Sequence, residues 1–260
     1  MLTRIKALPW QELVLPLAAV VLALLIGSVF ILYVGENPLT AYGILFKESL
    51  GSMRNIATTL QRATPLMFTG LAVAFAFRAG LFNIGAEGQL YMGAFAAVWV
   101  GISFNLPPII HLPPALVAAM VGGARWASLA GLLKAKLGVH EVINTIMLNF
   151  IALFLTDWLV TGPFHGGSWV PETVRIGSTA ALSRIYLPTR LTTAVYLALV
   201  AAAAAYMILW KTKRGYELRA VGLNPDAAED GGIKVPRHPI HAMALSGALA
   251  GQAVGEDRSL

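Results

Sequence analysis

The chain has 260 residues, 57% of them hydrophobic and 12% charged, with no cysteine and a mean hydropathy of +0.69. Soluble domains carry about 25% charged residues, so half that content, with the apolar residues in blocks of near-membrane length, identifies an integral membrane protein. Disorder, a disulfide scaffold and a thiolate metal site are excluded, and the net charge of +6 belongs to cytoplasmic loops, not to nucleic-acid binding.

A spanning helix needs about 20 mostly apolar residues. Taken in chain order, such runs cover 13–34, 64–79, 90–105, 114–133, 142–161 and 191–210, and a seventh begins near Ile240 and is soon cut short. The first follows Arg4 and Lys6, as a signal peptide would. Its length exceeds a secretory apolar core and no small-x-small pattern follows Gly35, so it reads as an uncleaved anchor. An inside N-terminus places Arg4, Lys6, Arg78, Lys134, Lys136, Lys211, Lys213, Arg214, Arg219, Lys234 and Arg237 in the cytoplasm. Lys47, Arg54, Arg62, Arg175, Arg184 and Arg190 then lie outside. The basic excess predicts that orientation.

Polar residues within apolar segments are costly and call for a reason. The stretch Gly80 to Gln89 breaks the second run from the third with three glycines and supplies Asn83, Glu87 and Gln89. It reads either as a capped helix start, with Glu87 in the first turn, or as a broken helix lining a pathway. In the fifth run, Glu141, Thr145, Asn149 and Thr156 fall within an arc of about 80° at helical periodicity. That stripe faces protein or water, by helix–helix hydrogen bonding or by lining a pathway. Asp157 lies off the stripe, near the outer end, where solvation explains it.

The segment Lys211 to Pro239 carries ten of the 32 formal charges. In it, Asn224 suits an N-cap, Pro225 the first helical position and Asp226 and Glu229 the helix dipole, with Gly231-Gly232 as terminator. Such a short helix either docks a partner protein or lies over the end of the bundle. No phosphate-binding glycine loop, no metal-ligand spacing among the five histidines and no Gly-x-Ser-x-Gly occurs, so an enzymatic role has no support. An ion-coupled carrier or channel stays open as the alternative, with Glu87, Glu141 and Asp157 its available acids.

Three ordered blocks carry a family resemblance: Phe77 to Gln89, Gly138 to Asn149, and Gly215 to Ala228 followed by Gly232-Ile233. Together they resemble the inner-membrane permeases of ABC importers for nucleosides and simple sugars, relatives of the branched-chain amino acid permeases. The likeness runs from about residue 10 to 250; it departs at His140, where the family usually has Asn. It implies an all-α polytopic transmembrane bundle of type II importer kind, with about six full spans and an incomplete seventh in one permease domain. It further implies a second permease subunit, cytoplasmic ATPases that bind the ATP, an extracytoplasmic substrate-binding protein and a multi-pass position in the inner membrane.

By the same likeness, Gly215, Leu218, Arg219, Ala220, Gly222, Asn224, Ala227, Ala228 and Gly232 are expected to couple to the ATPase. Asn83, Glu87, Gln89, Glu141, Asn144, Thr145 and Asn149 are expected at the pathway or its gate. Family members continue with further spans beyond a block like Ser246 to Gly251, whereas here Glu256-Asp257-Arg258 follow, so a C-terminally shortened frame is expected.

Overall fold

The computed structural model describes residues 10–104, 106–174, 176–177 and 179–253. Arg4, Lys6, Arg175 and the Glu256-Asp257-Arg258 cluster lie outside the described residues. The helices are α1 (Trp10–Tyr33), α2 (Pro38–Leu50), α3 (Met53–Arg78), α4 (Ala86–Ser103), α5 (Pro108–Leu137) and α6 (Glu141–Thr161). There follow α7 (Ala194–Lys211), α8 (Lys213–Leu223), α9 (Pro225–Asp230), a 3₁₀ turn (Val235–Arg237) and α10 (His238–Gly251). Among the described residues extended structure is confined to two isolated antiparallel bridges, His165–Thr173 and Arg184–Thr192, in the long connection between α6 and α7. The protein is an all-α polytopic membrane bundle, as expected.

Among the described residues five helices are long and apolar enough to cross a membrane: Val14–Tyr33 within α1, α3, Ile109–Leu137 within α5, α6 and α7. The third expected span falls on α4, whose polar first turn, with Glu87 and Gln89, lowers its apolarity. The seventh falls on α10, which has 14 residues. Helix α3 begins well before the expected span at residue 64, because its first turns carry Arg54, Asn55, Gln61 and Arg62, which hydropathy alone rejects. Helix α2 was not expected at all, although its start is written in Asn37-Pro38: Asn37 Oδ1 accepts from the Leu39 amide at 2.9 Å and Pro38 opens the helix.

The chain forms two compact units, Met1–Ile56 and Ala57–Leu260. In the first, the Tyr42 hydroxyl donates to the Leu24 carbonyl at 2.7 Å and ties α2 to α1, and the Asn55 amide donates to the Lys47 carbonyl at 3.0 Å.

In the second unit, α10 lies in a trough of small residues made by α4 and α5. A Cβ added at Gly93 would come within 2.5 Å of the Gly251 Cα, and one at Gly123 within 2.9 Å of the same atom. Gly247 meets the Gly123 carbonyl and the Ala127 methyl in the same way. Ala119, Gly123, Ala127 and Gly131 recur every four residues on α5, so one continuous face is stripped of bulk. Helices in lipid gain their association from this kind of close approach, because hydrocarbon is already as apolar as leucine. At one end of this unit Phe75, Ala76, Ala79, Leu81, Ala127, Leu209, Leu218 and Met243 form a buried cluster that joins α3, α5, α7, α8 and α10.

Candidate functional site

Helix α3 stops at Arg78, and Gly80 at φ +72° turns the chain into the polar loop before α4. A left-handed φ is easy only for glycine, so this glycine is required by the turn itself. Three residues on, Asn83 is a hub. Its Oδ1 accepts from the Gly85 amide at 2.9 Å and from Gln89 Nε2 at 2.9 Å. Its Nδ2 donates to Gln89 Oε1 at 3.0 Å and to Ser246 Oγ on α10 at 2.8 Å. Ser246 in turn donates to the Ala72 carbonyl of α3 at 2.6 Å. Asn83, Gln89 and Ser246 are all buried, and among the described residues no buried side-chain polar atom lacks a partner. An amide with all four hydrogen-bonding positions used fixes the loop against both neighbouring helices.

Helix α6 grips the same loop from another side. Asn149 Nδ2 donates to the Ile84 carbonyl at 3.0 Å, and its Oδ1 accepts from the Gly88 amide at 2.8 Å. That second bond satisfies a donor of the first turn of α4 that has no partner within its own helix. Gly88 must be glycine here, since a Cβ would lie 2.9 Å from the Asn149 Cα.

The rest of the α6 stripe turns inward. Glu141 is buried at the start of the helix and pairs with Lys134 Nζ at 2.5 Å. Asn144 donates to the Ala130 carbonyl of α5 at 3.0 Å, while Thr145 and Thr156 are buried and bond to carbonyls of their own helix. Of the seven residues expected at a pathway, the structure brings Asn83, Gln89, Glu141, Asn144 and Thr145 into the protein interior. It leaves Glu87 exposed and Asn149 half-buried.

Beside those two runs the seam between α4 and α6. Tyr91 follows Glu87 by four residues on α4, and Leu153 and Asp157 follow Asn149 at the same interval on α6, so each set shares a face. A half-open groove of about 380 Å³ lies on this seam, lined by Tyr91, Leu153, Phe154, Thr156, Asp157, Val160 and Pro171. Sequence reasoning set Asp157 aside and passed over Tyr91. The four-residue spacing from Glu87 and Asn149 was the signal that could have found them.

The charged segment after α7 is built on that helix and on the polar loop. Thr212 caps α8 by accepting from the Gly215 amide at 3.0 Å, and Gly215 sits against the Ile208 and Leu209 carbonyls, where any Cβ would collide. Arg219 donates from Nε to the Leu209 carbonyl at 3.0 Å, and its guanidinium stacks 4.1 Å from the centre of the Trp210 ring. Arg78 approaches the same ring at 5.6 Å. Contacts of this kind contribute about 0.5–2 kcal/mol, depending on desolvation. Leu218 is buried in the cluster below and Ala220 is half-buried.

At the far end of α8, Gly222 lies on the backbone of the polar loop: a Cβ there would come within 2.7 Å of the Arg78 carbonyl oxygen and the Gly80 nitrogen. Asn224 then caps α9, accepting from the Asp226 and Ala227 amides at 3.1 and 3.2 Å. Gly232, at φ +83°, closes that helix. Ala228 is buried, whereas Leu223, Asp226, Ala227, Glu229 and Asp230 are exposed. Past the 3₁₀ turn, the buried ring of His238 has Nε2 at 3.2 Å from the Ala79 carbonyl. A carbonyl oxygen only accepts, so the ring donates to it from Nε2. Ser246 and His238 were given no role from sequence, because each acts through a contact with a residue far away in the chain, whereas Trp210 holds Arg219, nine residues on, as well as Arg78 of α3.

No solved structure matches the chain. Among curated proteins it is 41% identical to the guanosine ABC transporter permease protein NupP of Bacillus subtilis, over 94% of this chain and 71% of that protein. It is 37% identical to the nucleoside ABC transporter permease protein NupB of Lactococcus lactis, over 93% of this chain and 69% of the relative. It is also 37% identical to the glucose ABC transporter permease protein TsgB13 of Haloferax volcanii, over 93% of this chain and 66% of the relative. The chain thus spans about two-thirds of the length of the curated relatives it matches. Residues 55–254, which hold the polar loop, the α4–α6 seam and the capped segment, match the family model described as branched-chain amino acid transport system / permease component, and the chain belongs to that family of ABC transporter permeases.

Proposed function

We propose that this permease chain supplies one half of an inner-membrane pathway for nucleosides, with the α4–α6 seam as its lining. The family is one of transport subunits, not of enzymes, and its relatives act in ABC transport, which removes the support for an ion-coupled carrier. One observation carries the assignment of the seam. Glu87 and Asp157 are both exposed, on the same seam of a chain whose surface is otherwise rich in leucine, isoleucine, valine and phenylalanine. A carboxylate turned to hydrocarbon is costly, so this face meets water or protein.

In the complete importer that protein is a second permease subunit across the pathway, with lipid around the remaining apolar faces. The N-terminus is cytoplasmic. Two ATPases, which bind the ATP, dock on the Lys211–Pro239 segment, and an extracytoplasmic binding protein delivers the solute. A nucleoside suits the groove because Tyr91 and Phe154 offer ring faces and Asp157 accepts hydrogen bonds from sugar hydroxyls. The names of two of the relatives favour guanosine and other nucleosides. The glucose relative favours the second reading, a simple sugar, which shares the hydroxyl chemistry but not the base.

The test is ATP-dependent uptake of labelled guanosine by the assembled importer in proteoliposomes, with unlabelled nucleosides and glucose as competitors. Competition by nucleosides alone is the expected result. Uptake of labelled glucose by the same assembly, with no uptake of labelled guanosine, overturns the nucleoside assignment in favour of sugar.

A further inference from the structure

We propose that the Ala79–Gly88 loop is the joint at which the docking segment grips the pathway helices, with His238 and the Gly80–Gly222 contact as its positioning elements. The inference rests on the importer reading above and goes further by naming the parts that carry the motion. The loop is held from four directions: by Gly222 of α8, by His238 at the start of α10, by Ser246 in mid-α10 through Asn83, and by Asn149 of α6. Each of α8, α10 and α6 thus sends a contact to this one segment.

The nature of the grip matters. Gly80 and Gly222 meet backbone to backbone: a Cβ on Gly80 would lie 2.8 Å from the Gly222 Cα and 2.9 Å from its carbonyl oxygen. With no side chain between them to change rotamer, a displacement of one is a displacement of the other. Helix α8 is pinned at its opposite end, where Thr212 caps it and Gly215 and Arg219 bind the last turn of α7. From Thr212 to Gly222 is about 15 Å of helix, so a tilt of roughly 10° about the pinned end moves Gly222 by about 2–3 Å. The exposed residues Leu223, Asp226 and Ala227 stand just beyond the moving end, where a push from an ATPase would arrive.

His238 closes the arrangement. Its hydrogen bond goes to the Ala79 carbonyl, one residue past α3 and next to the glycine contact, so α10 follows the loop instead of sliding past it. The Asn83–Ser246 bond repeats the tie farther along α10. On the α6 side, Asn149 passes any shift of Ile84 and Gly88 to the seam that contains Tyr91 and Asp157.

The test uses the permease assembled with its ATPase, second permease and binding protein in lipid. His238→Leu keeps bulk and removes the donor, and His238→Gln restores one. We expect His238→Leu and Gly222→Ala to raise the ATP hydrolysed per solute moved at least tenfold, and His238→Gln to return it most of the way. An unchanged ratio in both uncoupling variants overturns the proposal, even where absolute rates fall, because a merely structural loss lowers both rates together.

The absence of cysteine permits a second measurement that does not depend on those variants. Spin labels at Phe82→Cys and Leu223→Cys should keep their separation when a non-hydrolysable ATP analogue binds, whereas a Leu223→Cys and Tyr196→Cys pair should shift as α8 tilts on α7. A changed Phe82–Leu223 distance, or a fixed Leu223–Tyr196 distance, overturns the joint. An unsubstituted assembly that shows no ATP-dependent uptake defeats the importer reading and the joint with it.

Discussion

Asn83 shows how much one side chain can hold in this protein. Its amide, buried in the bundle, bonds to Gly85, to both ends of the Gln89 amide and to Ser246. Asn83→Ala therefore strands the Gln89 amide and a backbone N–H, at a cost of about 1–3 kcal/mol for each buried group left unpaired. Thermal unfolding in detergent should show a clear drop in Tm for Asn83→Ala and none for Glu87→Gln, whose side chain is exposed. Equal Tm values for the two would remove Asn83 from its structural position.

Asn149 differs, because it is half-buried and holds two backbone groups at the edge of the seam. Asn149→Leu should cut uptake by about tenfold, the equivalent of 1.4 kcal/mol, with subunit assembly retained. Normal uptake would separate this residue from the pathway. Residue identity and spacing made the polar positions visible in the sequence, and helical periodicity put Thr145, Asn149 and Thr156 on one stripe. Periodicity gives a face and not the direction it looks in. Only the packing of α6 on α4 and α5 shows that Thr145 looks inward, while Thr156 and Asp157 line the groove.

At the scale of the elements, apolar length located α1, α3, α5, α6 and α7, because lipid imposes the same span on each. It missed α2, whose capping residues were legible but whose mixed composition resembles a loop, and it misplaced the start of α3, where polar turns precede the apolar ones. Helix α10 shows why the rest was hidden. Its partners, Gly93 on α4 and Gly123, Ala127 and Gly131 on α5, are separated from it by more than a hundred residues of chain. A small residue in a sequence does not say what lies against it.

The glycines of the trough are expected to be sensitive and those elsewhere not. Gly247→Ala drives a methyl into the Gly123 carbonyl and the Ala127 side chain and should destabilise the protein by about 1–3 kcal/mol. Gly70→Ala, in α3 with open space around it, should be neutral or stabilising by about 0.5–1 kcal/mol. Parallel unfolding of the two variants in one detergent checks this, and equal effects would count against the trough as the source of α10 binding.

For the whole molecule, the charges gathered after α7 also hold that segment to the bundle. The segment after α7 is anchored by Arg219 on Trp210, with Arg78 of α3 on the same ring, so the one cation expected to couple to the ATPase, Arg219, holds α8 in place. Exposed on and beside α9 are Leu223, Asp226, Ala227, Glu229 and Asp230, with the cations Lys234 and Arg237 just beyond. The segment was recognisable in the sequence from its caps, but its outward face was not, since Ala227 and Ala228 are adjacent and point in opposite senses. Ala228 is buried, so Ala228→Arg would disrupt α9 from within and say little about docking. The substitutions that address docking are Leu223→Arg and Ala227→Arg, which place a large cation on the exposed surface without a core contact to break. Both should leave the yield and Tm of the permease unchanged and lower copurification of the ATPase at least tenfold, about 1.4 kcal/mol or more. Arg219→Glu should instead lower Tm, by losing the Trp210 stack and the bond to the Leu209 carbonyl together. Full ATPase recovery with Leu223→Arg and Ala227→Arg would move the docking surface off α9, and onto the other exposed residues of the same end, Lys211, Lys213, Arg214 and Tyr216.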